Sequence, residues 1–442
     1  MRIVFITLLI MLSQHAFSQI RQFSLDNGLN IVVQEDHRAP IVVSMIWYNV
    51  GSADEQGGRT GLSHALEHLM FKGTPSFPLG MFSKIIAQNG GQMNAFTNND
   101  YTAFYEKTAA IHLAKNLELE ADRMQNLLLD KDEFHKELKV IQEERRLRTD
   151  DDPQAITFER FLAAAHLSSP YHHPVIGWMS DLKQMTVDDI KEWYQTYYAP
   201  NNATLVVVGD VNTNEVYLLA KKYFSKLKRQ AIPQRKKHTE PPYLGKKTIQ
   251  VRVNAQLPLL IMGYSVPTVS TVSPDKLYIP YALEIIAEIL DAGDSARFTK
   301  TLIREKNVAS NMDTFYNLYA RYQTQFVIHG TPAHLKSIDD LRYAILGELK
   351  HLTTELVDEA ELKRIKTQIV AQKIFQRDSI FNQAMELGLL ETVGLGWQTT
   401  EKYIERINNI TPEQIQKTAK EYFNEQQLTE AELIPTTATT RP

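Results

Sequence analysis

Apolar and polar positions change their spacing several times along the chain, and each change predicts an element. Phe23 and Leu25 alternate with polar residues before Asp26-Asn27-Gly28, and Leu29, Ile31 and Val33 alternate after it, which predicts a hairpin. Ile41 to Val50 reads as a further strand, 62–71 and 79–89 as helices, and 92–97 with 101–108 as paired strands. Helix is predicted over 110–148 in two pieces and in segments over 155–198, with a turn at Ser169-Pro170. A short apolar strand at 205–209 and a helix ending near Leu227 follow. The periodicity then lapses. Residues 226–247 hold eight Lys or Arg with Pro233, Pro241 and Pro242, the composition of an exposed connector.

A second series starts beyond it. Strands are predicted at 248–254, 258–265 and near 323–329, and helices at 277–291, 336–350 and 358–392. Strands followed by helices, twice over, predict an α+β fold of two domains, each a mainly antiparallel sheet with helices packed on it. The expected boundaries are 19–232 for the first domain, 233–247 for the linker, 248–435 for the second domain and 436–442 for a tail.

Composition narrows the chemistry. The formal net charge is −4, from 48 basic and 52 acidic residues, which leaves no electrostatic footprint for nucleic acid. There is no cysteine, so disulfides, thiolate ligands and cysteine nucleophiles are excluded. Arg2, the apolar run Ile3 to Leu12 and the small-x-small triplet Ala16-Phe17-Ser18 predict a signal peptide over residues 1–18. No later apolar run reaches the ~18 residues of a membrane span. Export to a periplasm without a membrane anchor is the expectation.

The candidate chemistry lies in His64-Ala65-Leu66-Glu67-His68. Residues four apart share one helix face, so both imidazoles can reach one ion. With Leu62 set at zero and about 100° per residue, Leu66 falls at about 40° and Leu69 at about 340°. His64, Glu67 and His68 fall at about 200°, about 140° and about 240°, opposite the leucine stripe. One face belongs to the core and the other to a cleft. A catalytic zinc usually has three protein ligands and a water, and without cysteine the third must be Asp or Glu. The stretch Glu137 to Glu144 offers candidates. With Phe134 at zero, Leu138 falls at about 40° and Ile141 at about 340° on the same wheel. Glu137 falls at about 300°, Glu144 at about 280° and Glu143 at about 180°. The wheel favours Glu144 without deciding the matter, and reads Glu143 as solvated. His172 and His173 are adjacent and cannot share a helix face, so they read as loop residues rather than ligands.

Three stretches taken together carry a resemblance: GSADEQGGRTGLSHALEHLMFKGT (51–74), GGQMNAFTNNDYTAFYEKT (90–108) and ELKVIQEERRLRTDDDP (137–153). The chain resembles the insulinase/pitrilysin family of zinc peptidases, in the short-chain branch that includes the mitochondrial processing peptidase β subunit. The resemblance implies one Zn2+ per chain on His64, His68 and Glu144, with Glu67 as the catalytic base. Glu137 matches a second glutamate that supports the site. Asn94 and Ala95 match an edge strand that pairs with the substrate backbone. It also implies two related domains per chain and a chamber of four, hence a dimer. Members that complete the site from their second half carry an Arg and, seven residues on, a Tyr. Here Arg304 is present, but Asn311 stands in the tyrosine's register. That departure favours a heterodimer with a related chain lacking the metal motif, with a homodimer next. The expected activity is hydrolysis of unfolded peptides; the alternative is a non-catalytic or peptide-binding scaffold subunit of the same fold.

Overall fold

The computed structural model describes residues 20–236 and 238–436. The expected signal peptide and all but the first residue of the expected tail lie outside them.

The first half builds a six-stranded sheet from β1 (Ile20–Ser24), β2 (Asn30–Glu35), β3 (Ile41–Tyr48), β4 (Gln92–Thr97), β5 (Thr102–Ala109) and β6 (Ala203–Gly209). Its order is β1-β2-β6-β3-β5-β4, antiparallel except for the β2–β6 pair. Its helices are α1 (Leu62–Leu69), α2 (Met81–Gln88), α3 (Leu113–Asn126), α4 (Lys131–Arg145), α5 (Pro153–Ala165), α6 (Met179–Leu182), α7 (Val187–Tyr197) and α8 (Thr213–Phe224). The chain at the end of α4 continues as a wider π turn over Arg146–Asp150.

The second half builds a five-stranded sheet from β7 (Lys247–Asn254), β8 (Leu259–Val266), β9 (Ala309–Phe315), β10 (Thr324–Pro332) and β11 (Leu428–Thr436). Its order is β7-β11-β8-β10-β9, with only β7–β11 parallel. Helices α9 (Tyr278–Asp291), α10 (Ile338–Thr354), α11 (Glu359–Gln376), α12 (Ile380–Thr392), α13 (Thr399–Asn409) and α14 (Pro412–Tyr422) complete it. Apart from β1, the two sheets match strand for strand, in chain order and in direction. The fold is α+β in two homologous halves.

The structure adds elements that the sequence pattern did not yield: β9, α13, α14 and β11. Strand β11 sits inside the second sheet, between β7 and β8. Its apolar alternation is interrupted by Glu430, which is fully buried and paired with Lys246 and Arg342. The predicted helix over 358–392 is two helices, because Ser379 caps a new one at α12.

That break lets each half lend a helix to the other. Ile380, Ala384 and Leu387 of α12 pack against Val32, Val43, Met45 and Trp47 on the back of the first sheet. Phe161 and Ala165 of α5 pack against Leu259, Ile261 and Leu433 of the second. Both contacts depend on a glycine. A Cβ at Gly388 would lie 2.0 Å from the Trp47 ring, and one at Gly263 would lie 2.2 Å from the Phe161 ring. Buried side chains of this size each contribute about 1.5–3 kcal/mol, so the exchange locks the halves together.

The connector is also more than a solvated tether. Arg235 donates to Asp54, Glu240 accepts the N–H groups of Ser168 and Ser169, and Lys247 donates to the carbonyls of Ala164 and Ala165.

Candidate active site

Helix α1 buries Leu62, Leu66 and Leu69 in the main core of the first half, beside Phe104 of β5 and Phe134, Leu138 and Ile141 of α4. The leucine stripe turns the opposite face outward, and α1 and α4 lie against each other. His64 and His68 therefore meet Glu144. The Nε2 atoms of His64 and His68 stand 3.8 and 3.3 Å from Glu144 Oε2. Among the described residues His64, His68 and Glu144 form a group whose ligand atoms all lie within 4.8 Å of one another. Ligands of a tetrahedral zinc with bonds of ~2.0–2.1 Å sit about 3.3 Å apart, so the group has the size and the N,N,O chemistry that zinc takes.

Supporting contacts fix the donors. Glu137 Oε1 lies 2.9 Å from His68 Nδ1, which leaves Nε2 free to face Glu144. Lys72 pairs with the other oxygen of Glu137. Arg148, from the π turn, holds Glu144 Oε1 at 2.6 Å while Oε2 faces the histidines. The Thr97 hydroxyl donates to Glu67. His64 Nδ1 is buried without a hydrogen-bond partner among the described residues.

The electrostatics separate these groups. Burial, with the neighbouring His68 and Arg148 charges, lowers His64 to about 3, so it is a neutral ligand-type imidazole at neutral pH. Burial opposes charge on His68, yet the Glu137 hydrogen bond and the Glu144 and Glu137 charges raise its pKa above the usual value. Glu137 is held low by its hydrogen bond to His68 and by Lys72. Burial raises Glu67, against the pull of the Thr97 hydroxyl. A carboxylate so raised is a better proton acceptor than an exposed one.

A cavity of about 460 Å³ opens beside these residues, lined by His64, Glu67, Glu144, Ala95, Phe96 and Thr97 on one side. Strand β4 is the last strand of its sheet, so its outer edge is unpaired. Asn94 and Ala95 lie on it, and the Ala95 N–H donates only locally, to Asn94 Oδ1 at 2.9 Å on the exposed edge.

His172 and His173 are loop residues, as the sequence reading had them, and they lie in the cavity wall with Arg148 and Glu159. Their rings are in contact at 3.9 Å, and burial lowers His173 to about 4. Only the fold of the 166–178 loop over α5 brings them there, and no periodicity signals it. Arg304 is not in this cavity. It lies on the exposed surface of the second half, where its guanidinium pairs with Asp294 at 2.6 Å. Asn311 accepts the Thr331 N–H within the β9–β10 ladder. Glu143 is exposed and paired with Arg146, as its place on the wheel required.

Comparison with known proteins finds relatives over most of the chain. Residues 30–177 match the family model described as insulinase (peptidase family M16), and 184–369 match that of the peptidase M16 inactive domain. The zinc protease PqqE of Helicobacter pylori is 34% identical over 434 residues, covering 96% of this chain and 95% of that protein. A probable mitochondrial-processing peptidase subunit beta of Arabidopsis thaliana is 23% identical, covering 92% of this chain and 76% of that one. Among solved structures, a protease from Helicobacter pylori superposes with a TM-score of 0.89 at 32% identity, over 95% of this chain and all of that one. The periplasmic protease PqqL of Escherichia coli shares the fold, with a TM-score of 0.80 at 17% identity, over 94% of this chain and 48% of that one.

Proposed function

The chain belongs to the insulinase (M16) family of peptidases, and from that premise we propose that it is a zinc-dependent endopeptidase acting on unfolded peptides. The observation that carries the reading is the convergence of His64, His68 and Glu144 within 4.8 Å, beside a buried Glu67, in a cavity bounded by an open strand edge.

His64, His68 and Glu144 would hold one Zn2+, with Glu137 keeping His68 in the Nε2-binding tautomer. Bound zinc supplies Lewis acidity, which polarises a carbonyl and makes water acidic enough to ionise near pH ~7. Glu67 accepts the water proton on its carboxylate and delivers it to the leaving amine nitrogen. Thr97 keeps that carboxylate in place through its hydroxyl. The substrate backbone pairs with β4 at Asn94 and Ala95, as an added strand, which sets the scissile bond against the α1 face. An extended peptide satisfies this pairing and a folded one does not.

The same reading puts the protein in the periplasm after removal of residues 1–18. The described residues hold no helix long and apolar enough to cross a membrane. It also pairs two chains around a closed chamber, preferentially this chain with a related one that lacks the metal motif. A substrate role for Arg304 would then require the cavity of a second chain, since its own lies elsewhere.

Metal removal tests the proposal. The purified full chain, with and without a co-expressed related chain, should cleave an unstructured peptide, lose activity after chelation and regain it with stoichiometric zinc. Tight peptide binding without turnover, indifferent to chelator, would identify a scaffold instead.

A further inference from the structure

We propose that Arg321, contributed by the second half, is a positioning residue for both walls of the proposed site in the first half. The inference rests on the peptidase reading for its meaning, but its geometry stands apart from it. Arg321 lies in the loop between β9 and β10, next to Ala320, which packs with Ala53 and Tyr171 of the first half. Its side chain is only 12% exposed. Its Nη1 donates to both oxygens of Asp54 at 3.3 Å, and its Nη2 donates to Asn49 Oδ1 at 2.9 Å and to the Asp100 carbonyl. Its backbone N–H donates to Asp100 Oδ2 at 2.9 Å. Arg235 of the connector also grips Asp54, and the Tyr171 hydroxyl donates to Asp100 at 2.7 Å.

The two aspartates belong to two loops, and each loop leads into the site. Asp54 is followed by Glu55, whose carboxylate accepts the N–H groups of Gly61 and Ser63 at 2.6 and 2.7 Å. Those are orphan donors at the start of α1, whose own N-cap is Gly61 with no side chain to offer. Glu55 is thus the cap of the helix that carries His64, Glu67 and His68. Asp100 lies in the turn between β4 and β5, three residues after Thr97, which holds Glu67. The two loops are joined to each other, because the N–H groups of Ser52 and Ala53 donate to the carbonyls of Asn98 and Asn99. One guanidinium from the second half therefore fixes the helix cap and the strand that orients Glu67.

The fork geometry matters more than the charge. Two carboxylates face two guanidiniums in a largely buried set, and removing one partner leaves an uncompensated charge. Lysine offers a point charge in place of the planar fork that reaches Asp54 and Asn49 together.

Two full-length variants test this. Arg321→Lys keeps the charge and loses the fork. Arg321→Met combined with Asp100→Asn removes one charge of each sign, so the set stays balanced where the first variant proves unstable. Hydrogen exchange is read on peptides covering 60–66 and 203–209, alongside zinc affinity by chelator competition and kcat and KM for a peptide. The expected result is at least a tenfold loss of protection in 60–66 with none in 203–209. Zinc binding should weaken severalfold, and kcat should fall with KM little changed. Equal loss of protection in both segments would mean that Arg321 merely stabilises the fold, and no loss in either would mean that it positions nothing. Either result overturns the proposal. If the parent chain cleaves no peptide, the peptidase reading fails, while the exchange comparison still decides the role of Arg321.

Discussion

The two halves of the molecule hold the same pocket with different chemistry. In the first half a cavity lies between α1, β4 and the end of α4. In the second a smaller one, about 200 Å³, lies between α9, the Asn317–Tyr319 segment after β9, and α11. The registers can be matched from the structure. His68 precedes Gly73 by the same five residues that separate Glu288 from Gly293, and both glycines are left-handed, with φ of 95° and 74°. On that register Glu284 stands for His64, Ala287 for Glu67 and Glu288 for His68. Helices α4 and α11 both begin with an aspartate cap, Asp130 and Asp358. Counting from the caps sets Gln372 where Glu144 is, and the buried pairs Phe134 and Leu362, Ile141 and Ile369 agree.

Four matched positions carry the difference. The second pocket has no imidazole, no base at Ala287 and an amide in place of the third carboxylate. Its charge is handled internally. The Tyr403 hydroxyl donates to Glu284 at 2.6 Å, and Lys373 lines the pocket while paired with Glu386 at 2.7 Å. The Lys373 charge also acts on Glu284 and favours its ionised form. The topology is common to both, and a few side chains set the two pockets apart.

Four experiments test this contrast. Glu67→Gln should cost kcat roughly 100- to 10,000-fold with zinc retained, because the proton acceptor is lost and the ligands are not. If the Glu67→Gln enzyme keeps its rate, the assignment of the base to α1 is wrong. His68→Ala should weaken zinc binding by more than the ~100-fold reached by supporting residues. In contrast, the double change Glu284→Gln, Glu288→Gln should leave zinc content unchanged, and zinc lost from that variant would mean that the second pocket binds metal too. Glu137→Gln should lower zinc affinity or activity by about 10- to 100-fold, since it holds one histidine and ligates nothing. Equal loss in Glu137→Gln and His68→Ala would make Glu137 itself a ligand.

The smallest effect is on stability. Burial raises Glu284 from the usual 4.5 to about 7, against the Tyr403 hydrogen bond and the Lys373 charge. The folded chain then holds a proton that the unfolded chain gives up, so stability falls as pH rises from 4.5 through 7. Glu284→Gln should flatten that dependence and raise stability at pH 8 by up to roughly 3 kcal/mol. Parallel melting curves for both proteins across that range would refute the assignment.

Much of the site was legible because it is built from local periodicity. The i, i+4 spacing of His64 and His68 and the leucine stripe opposite them follow from helix geometry alone, and the wheel through Phe134 put Glu144 at a half-buried edge. The placements that periodicity does not encode are those made by long-range packing. His172 and His173 reach the cavity only because a loop folds over α5. Arg321 meets Asp100 and Asp54 across sequence separations of 221 and 267. Strand β11 was hidden by Glu430, a buried charge whose partner Arg342 lies on α10.

What the sequence determined by itself is the set of short-range facts: two series of strands and helices, a helix with two imidazoles on one face, and a chain without thiols. Tertiary structure decided which face met which. It exchanged α5 and α12 between the halves, made an apparent tether into a strap, and gave the metal-type helix a cap held in place by the other half. The reason is physical. Periodicity records the side on which a segment is buried, whereas the partner that buries it is fixed only when shape, charge and hydrogen bonds are satisfied at once.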